Sequence, residues 1–432
     1  MQSAAPIDAA TSAQALYHPG AGWERRFWLI FAGQSLSLLG SALTQFVLLW
    51  WIADTTGSVS ALAGAGAAAL LPLALLSPLA GTFADRYSRP MLMIAADTIS
   101  AACMVLLIVL FLGGGIALWH IYLVMFARSA MQAFQMPAAA ASVAMLVPAS
   151  FLPRAAGLNQ IMQSVTMIAP APLGALAMGV MPLGWALAID AVTALAGIVP
   201  LLVLRIPQSF AAPGQQAGLW SECRAGAAMI WSNPGLRRLY GLIGLMMLII
   251  MPSLVLVALL VKQHFGGGAG QVALMEALSG VGLLGGGIVV AVLAPQRQVP
   301  WILWGFAATC LALALTGLTP GTMFYAALVA WTLCGLACAA GNASLMALLQ
   351  AGIPNQMQGR AFSLLDAVIG LGAPVGLALG APLGELIGIR ALFVLVGVLG
   401  TLVCLAGFFS PALMRLDGAP AAAPLPAGGT RP

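Results

Sequence analysis

Long apolar stretches recur along nearly the whole chain and are separated by short polar segments. Most of them continue without interruption for about 20 residues, the length that an α-helix needs to cross the hydrocarbon core of a bilayer. They lack the strict alternation of apolar and polar residues that is typical of membrane β-barrel strands. The pattern therefore predicts an all-α integral membrane protein with twelve transmembrane helices, near 27–52, 61–83, 91–113, 118–141, 157–181, 183–204, 239–261, 271–293, 301–318, 322–349, 361–384 and 391–410.

Composition supports this fold class. Hydrophobic residues make up 62% of the 432 residues and charged residues only 6%, whereas roughly a quarter of a soluble domain is charged. The 50 glycines and 27 prolines are compatible with packed membrane helices, which tolerate both residue types. A soluble globular protein is excluded.

The basic residues are distributed unevenly between the two ends of these spans. Nearly all loop arginines fall on one side, while Lys262 and Arg390 fall on the other and Arg128 lies within a span. Because loops rich in Lys and Arg stay in the cytoplasm, we predict a multi-pass protein of the inner membrane with both termini cytoplasmic. The formal net charge of +5 is explained by these loops, so it does not indicate a nucleic-acid partner.

The two halves of the chain are related in sequence. Residues 141–176 align without a gap on 343–378, and Ala171-Pro172-Leu173-Gly174 meets Ala373-Pro374-Val375-Gly376. Two six-helix pseudo-repeats are typical of secondary transporters, which bind substrate between the repeats and expose it alternately. The predicted organisation is a cytoplasmic tail over 1–26, a six-helix bundle over 27–204, a cytoplasmic linker over 205–238, a second bundle over 239–410 and a disordered cytoplasmic tail over 411–432.

A charged motif lies between the second and third spans. Gly81, Asp85, Arg86 and Arg89 follow the spacing G-x-x-x-D-R-x-x-R, in which glycine permits close helix approach and the carboxylate can accept a charge-assisted hydrogen bond. The motif resembles the loop between the second and third helices of the major facilitator superfamily, although Arg89-Pro90 stands where that family usually has two basic residues. The resemblance implies a gating role for these four residues.

Other residues resemble the branch of that superfamily that contains macrolide efflux proteins and exporters of siderophores such as enterobactin. The resemblance covers nearly the whole membrane core and implies a proton-driven antiporter that exports a siderophore or an amphiphilic, macrolide-like drug and so contributes to antibiotic resistance. The residues that carry it are Gly33-Gln34, Gly40-Ser41, Arg128-Ser129, Pro137, Asn159-Gln160, Asp190 and Gly359 to Ser363.

Polar residues form a stripe on each of two spans. An arginine at the centre of a membrane helix costs about 2.5–3.5 kcal/mol on insertion scales, so it is expected to face a cavity or a partner. The same helical face carries further polar residues, and the first and fourth helices line the central cavity in the superfamily. The candidate cavity residues are Arg128, Gln132 and Gln135 on span four and Gln34, Ser41 and Gln45 on span one. Alternatively, Arg128 only holds neighbouring helices together.

Carboxylates within the spans are candidates for carrying the coupling proton. Asp190 and Glu276 lie deep in their spans and, with Arg128, form the predicted coupling set. Asp97 and Asp366 lie closer to the cytoplasmic ends, so we predict that they cap helices or pair with loop arginines. Glu385 and Arg390 are expected to form a solvated pair at the outer end of the last two spans.

Prolines within two spans predict helix bends. Each proline removes a backbone donor from the helix, and the small residues beside it let helices slide past each other. The segment on span five loosely resembles the glycine–proline motif of superfamily antiporters. The predicted bend residues are Pro170, Pro172 and Gly174, with Pro374 and Gly376 in the second half.

No catalytic constellation, metal-ligand spacing or phosphate-binding loop occurs in the sequence. We therefore predict a protein that is not an enzyme, needs no cofactor or metal, and uses protons rather than ATP. Its partners are a small-molecule substrate and the lipid bilayer, and it is predicted to be monomeric. The alternatives are an importer of a small metabolite on the same fold and a polytopic membrane enzyme.

Overall fold

The computed structural model describes residues 22–204, 228 and 230–418. Across these residues the regular secondary structure is helical, and they contain no strand. The helices of the first half are α1 (Trp23–Thr56), α2 (Val59–Arg86), α3 (Arg89–Leu112), α4 (Leu118–Leu146), α5 (Leu152–Ile168), α6 (Pro170–Val180) and α7 (Leu183–Val203). Those of the second half are α8 (Pro234–Phe265), α9 (Ala269–Leu293), α10 (Gln298–Leu318), α11 (Phe324–Gly352), α12 (Asn355–Ile387), α13 (Ile389–Phe408) and α14 (Pro411–Met414).

The predicted all-α membrane fold is confirmed. Ten helices of the described part of the chain are long and apolar enough to span a membrane, and a bent pair provides an eleventh span. The remaining predicted span is α4, whose 29 residues include Arg128, Gln132 and Gln135. Each of the twelve predicted spans therefore falls on a helix of span length or on the bent pair.

The bent pair consists of residues Ala149–Ile168 and Pro170–Val180, which meet at an angle of 46°. Pro170 begins α6, and its ring nitrogen cannot donate to the preceding turn. In the aligned segment of the second half, by contrast, α12 continues through Pro374 and Gly376. A Cβ at Gly376 would collide with the backbone carbonyl of Leu248, so the missing side chain here permits close packing against α8.

The described helices divide into two compact units. The first contains α1 up to Leu48 and α2 from Pro72 onward, together with α3 to α7. The second contains Leu49–Leu71 together with α8 to α14. The boundary differs from the predicted bundles over 27–204 and 239–410, because the end of α1 and the start of α2 pack with the second half of the chain. Each of these two helices contributes to both units.

Glycines bring α1 close to α7 within the first unit. A Cβ at Gly33 would collide with the carbonyl oxygen of Ala196, and one at Gly40 with the hydroxyl of Thr193. Small residues allow such close backbone approach in membrane helix pairs, where van der Waals packing rather than hydrophobicity drives association. This contact places the polar face of α1 beside the carboxylate-bearing face of α7.

The segment after the last span is ordered as far as Gly418, unlike the disordered tail predicted over 411–432. Leu413 is buried, with 2% of its surface exposed. Asp417 Oδ1 accepts from the backbone N–H groups of Gln298 (2.7 Å) and Val299 (3.0 Å). These are orphan donors at the start of α10, so the carboxylate caps that helix.

The start of the second half also differs from its prediction. Helix α8 begins at Pro234, inside the predicted linker 205–238. The Asn233 side chain accepts from the N–H groups of Gly235 (2.9 Å) and Leu236 (3.3 Å) and caps the helix. Three segments lie outside the described residues: the linker over 205–227, the first 21 residues of the N-terminal tail and the end of the C-terminal tail.

Candidate functional site

The predicted gating motif is described only in part. The side chains of Asp85 and Arg86 and the surroundings of Gly81 lie outside the described set, although the backbone of α2 extends to Arg86. Arg89 begins α3, and its Nη1 donates to the carbonyl oxygen of Ala141 near the end of α4 at 3.3 Å. A cation at a helix C-terminus is favourable, so Arg89 joins the ends of these two helices.

A buried ion pair joins α4 to α7. Arg128 Nη2 lies 2.8 Å from Asp190 Oδ2, and the two side chains are 9% and 3% exposed. These two atoms are close enough to form an ion pair, but their geometry does not meet the angle that a hydrogen bond requires. Because either charge alone is costly at membrane depth, each is stabilised there by the other.

Helix α1 binds both members of this pair. Arg128 Nη2 donates to the carbonyl oxygen of Ser41 and its Nη1 donates to the hydroxyl of Thr44, both at 3.3 Å. The hydroxyl of Ser41 donates to Asp190 Oδ1 at 2.8 Å, and Met104 Sδ on α3 lies 3.3 Å from Arg128 Nη1. We call these five residues the ion-pair cluster. Its charges are held by four helices, so rearranging it requires movement of more than one helix.

A second cluster surrounds Asp97 on α3, which is 3% exposed. Gln135 Nε2 donates to its Oδ1 at 2.7 Å and Gln34 Nε2 donates to its Oδ2 at 3.0 Å. The hydroxyl of Ser37 lies 3.4 Å from Oδ1, and Gln135 Nε2 also donates to Gln34 Oε1 at 3.1 Å. The prediction that Asp97 caps a helix or pairs with a loop arginine is wrong, because its partners are two amides and a hydroxyl from α1 and α4.

Gly197 on α7 makes room for this amide cluster. Its carbonyl oxygen accepts from Gln34 Nε2 at 3.2 Å. A Cβ at this position would lie 3.1 Å from that nitrogen and 3.4 Å from Asp97 Oδ2. An alanine would therefore press on both the amide and the carboxylate.

Two residues of the predicted cavity stripe have no polar partner among the residues that the structure describes. Gln132 is exposed and Gln45 is partly buried, and neither forms a hydrogen bond with another described residue. Gln34, Ser41, Arg128 and Gln135 all belong to the clusters. The alternative role of Arg128, in which it binds neighbouring helices, matches its contacts.

The carboxylates of the second unit have different surroundings. Glu276 on α9 is partly buried and Asp366 on α12 is exposed, and neither has an ion pair or hydrogen bond with a residue that the structure describes. We predicted that Asp366 caps a helix or pairs with an arginine. Among the described residues it has no such partner, so this prediction is not confirmed. The coupling candidates Asp190 and Glu276 differ, because among the described residues Asp190 has a counter-ion and Glu276 has none.

The predicted solvated pair of Glu385 and Arg390 is wrong. Arg390 donates to the carbonyl oxygens of Gly317 (3.0 Å) and Leu318 (3.5 Å) at the end of α10. Glu385 instead accepts from Ser58 and Ser60. The two side chains bind backbone groups at the ends of different helices. Glu385 and Arg390 are therefore close in sequence but do not form an ion pair with each other.

Sequence reasoning missed Ser37 and Thr44 as site residues. Both lie on α1 between or beside Gln34, Ser41 and Gln45, with a spacing of three or four residues. Residues at this spacing share one helical face. A search for hydroxyls as well as amides on the predicted polar face would have found both.

Comparison with known proteins gives consistent results for sequence and fold. Residues 30–319 and 241–430 match the family model of the Major Facilitator Superfamily. The chain is 30% identical over 386 residues to macrolide efflux protein A of Streptococcus pyogenes, covering 89% of this chain and 95% of that protein. It is 29% identical over 309 residues to macrolide efflux protein A of Enterococcus faecalis, covering 71% and 96%.

Two solved transporters share the fold at low sequence identity. The nucleoside transporter NupG superimposes with a TM-score of 0.68 at 13% identity, covering 87% of this chain and 98% of that one. A POT family transporter in complex with 5-aminolevulinic acid gives 0.71 at 11% identity, covering 90% and 96%. These similarities establish the arrangement of helices and carry no information about the substrate.

Proposed function

Because this chain belongs to the Major Facilitator Superfamily, we propose that it is a proton-driven antiporter that exports an amphiphilic, macrolide-like drug. The observation that carries this proposal is the 30% identity to macrolide efflux protein A over 95% of that relative's length. The partners are the substrate, protons and the bilayer. A monomer suffices, and no cofactor takes part.

The contacts of Arg128 favour a drug over a siderophore. A free guanidinium would suit an anionic substrate such as a siderophore. Arg128 is instead paired with Asp190 at 2.8 Å, so its charge is already compensated. Glu276 lacks a counter-ion among the described residues, which suits a substrate carrying a protonated amine.

Cells that express this chain are expected to accumulate less labelled macrolide than cells carrying an empty vector. A protonophore is expected to remove the difference, because the proton gradient supplies the energy. Accumulation is measured in a strain whose own efflux pumps are deleted, with siderophore secretion followed in parallel. Equal accumulation in both strains contradicts macrolide export, and higher accumulation in the expressing strain indicates import.

We further propose that the protein lies in the inner membrane with both termini in the cytoplasm. The support is the excess of arginine in loops on one side, which retains those loops in the cytoplasm. A reporter fused after Gln215 is expected to show a cytoplasmic location, and one fused after Gly267 is expected to show an outer location. The opposite pattern contradicts this orientation.

A further inference from the structure

A cavity of about 520 Å³ lies in the first unit between the start of α1 and the turn that precedes α5. Cavities that bind small molecules have volumes of roughly 300–1,000 Å³, so this one is large enough for a ligand. None of its lining residues belongs to the ion-pair cluster or to the cluster around Asp97. The lining includes Trp23, Glu24 and Trp28 from α1, and Ser150, Phe151 and Arg154 from the other side.

One wall of the cavity is aromatic and is packed onto the core of the unit. The ring centroids of Trp23 and Phe151 are 5.1 Å apart in an edge-to-face arrangement, and Phe151 packs in the same way on Phe27 at 5.4 Å. Phe27 is only 1% exposed, whereas Trp28 is 48% exposed. Tryptophan is enriched at the membrane–water interface, where its ring contacts apolar chains and polar headgroups together. The aromatic residues therefore indicate that the cavity lies at the level of the lipid headgroups.

Two opposite charges line the cavity without pairing. Glu24 and Arg154 are exposed, and neither forms an ion pair or a hydrogen bond with a residue that the structure describes. The hydroxyl of Ser150 also has no partner among those residues. A ligand that carries both a cation and an anion can satisfy the carboxylate and the guanidinium at once. A purely anionic ligand is repelled by Glu24, and a purely cationic one is repelled by Arg154.

We propose that this cavity binds the headgroup of a zwitterionic phospholipid with a primary amine, phosphatidylethanolamine. Arg154 and Ser150 donate to the phosphate, and the carboxylate of Glu24 accepts from the ammonium group. A membrane lipid fits better than a soluble zwitterion because exposed apolar side chains adjoin the charges. Trp28 and Leu152, which are 48% and 37% exposed, offer contacts to the acyl chains. The site is independent of the proposed transport function, because lipid binding is measured without a transported substrate.

Glu24→Gln and Arg154→Gln are each expected to weaken binding of phosphatidylethanolamine by about tenfold, the effect of losing one hydrogen bond to a charged group. Binding is measured by native mass spectrometry of the purified full chain, titrated in detergent with phosphatidylethanolamine or phosphatidylglycerol. The wild type is expected to prefer phosphatidylethanolamine, since phosphatidylglycerol has no ammonium group for Glu24. Equal affinity of the wild type for both lipids, or unchanged affinity in both variants, overturns the proposal.

Arg25→Gln and Asp54→Asn are the matched controls. Arg25 is the exposed neighbour of Glu24 but does not line the cavity, and Asp54 is an exposed carboxylate near the opposite end of the same helix. Both controls are expected to keep the wild-type affinity. Replacing exposed side chains has little effect on stability, so all four variants are expected to fold. A loss in the controls equal to that in the cavity variants shows binding to surface charge in general and overturns the site.

Reversing one charge gives a result that a purely structural role of Glu24 does not produce. Glu24→Lys places two cations at the cavity and is expected to bind phosphatidylglycerol more tightly than phosphatidylethanolamine. An unchanged preference for phosphatidylethanolamine in this variant contradicts the contact between Glu24 and the ammonium group.

Two competitors test whether the ligand is a lipid. Soluble phosphoethanolamine carries the same two charges without acyl chains and is expected to displace the lipid only at much higher concentration. Displacement by phosphoethanolamine at equal concentration means that the cavity takes a soluble zwitterion. Displacement by a macrolide means that the cavity belongs to the substrate path. Either result overturns the assignment to a lipid.

Discussion

Asp190→Asn is expected to reduce the amount of folded transporter strongly and to abolish export. The substitution leaves Arg128 charged and 9% exposed, without the carboxylate that now lies 2.8 Å away. Removing one partner of a buried pair destabilises proteins by about 3–5 kcal/mol. Folded protein is measured by fluorescence-detected gel filtration of a tagged chain, and export by macrolide accumulation.

A double variant separates stability from transport. Replacing both charges, as in Arg128→Met with Asp190→Leu, leaves no unpaired charge and is often neutral for stability. If the charge pair takes part in coupling, this variant is expected to fold in near-normal amounts and still not to export. Export by the double variant at the wild-type rate means that the pair only holds helices together.

Arg128→Lys refines this test. Lysine keeps the positive charge but lacks the planar guanidinium, which here reaches Asp190, Ser41 and Thr44 at once. We expect a folded carrier with impaired export. Full activity of Arg128→Lys contradicts a role for the planar shape of the guanidinium group.

The helices could be predicted from the sequence because the requirement for a membrane span is local. Each apolar run must satisfy its own backbone groups inside the bilayer, whatever its neighbours are. Pro170 acts through its own ring nitrogen, and the break between α5 and α6 is found at this residue. The polar face of α1 follows from helical spacing alone, so Gln34, Ser41 and Gln45 could be placed on one side.

The partners of these residues could not be predicted in the same way. Asp97 binds Gln34 and Gln135 because α1, α3 and α4 meet at one level, and the sequence does not contain this arrangement. Its position near one end of the span, next to a loop that contains arginines, suggested a loop arginine instead. Glu385 likewise finds Ser58 and Ser60, which are more than 300 residues away in the chain. Pairing between helices depends on packing and register.

The carboxylates in the middle of the membrane helices differ between the two units in how they are satisfied. In the first unit, Asp190 has a counter-ion and Asp97 has two amide donors and a hydroxyl within 3.4 Å. In the second, Glu276 and Asp366 have no such partner among the described residues. An ionised carboxylate without donors at membrane depth is costly, and binding a proton or a cationic substrate removes that cost. Of these two, Glu276 is the one that is partly buried, so the cost of an uncompensated charge is higher there.

Glu276→Gln is expected to abolish export driven by a proton gradient while leaving exchange of substrate down its own gradient intact. The amide keeps the size of the carboxyl group but cannot gain or lose a proton near neutral pH, so substrate movement is no longer tied to proton movement. Reconstituted vesicles with and without an imposed pH gradient measure the two activities separately. Asp366→Asn is the matched control, because Asp366 also has no ion pair or hydrogen bond with a described residue but is exposed, and it is expected to retain gradient-driven export. Undiminished pumping by Glu276→Gln places the coupling at another carboxylate, with Asp97 and its amide donors the next to test.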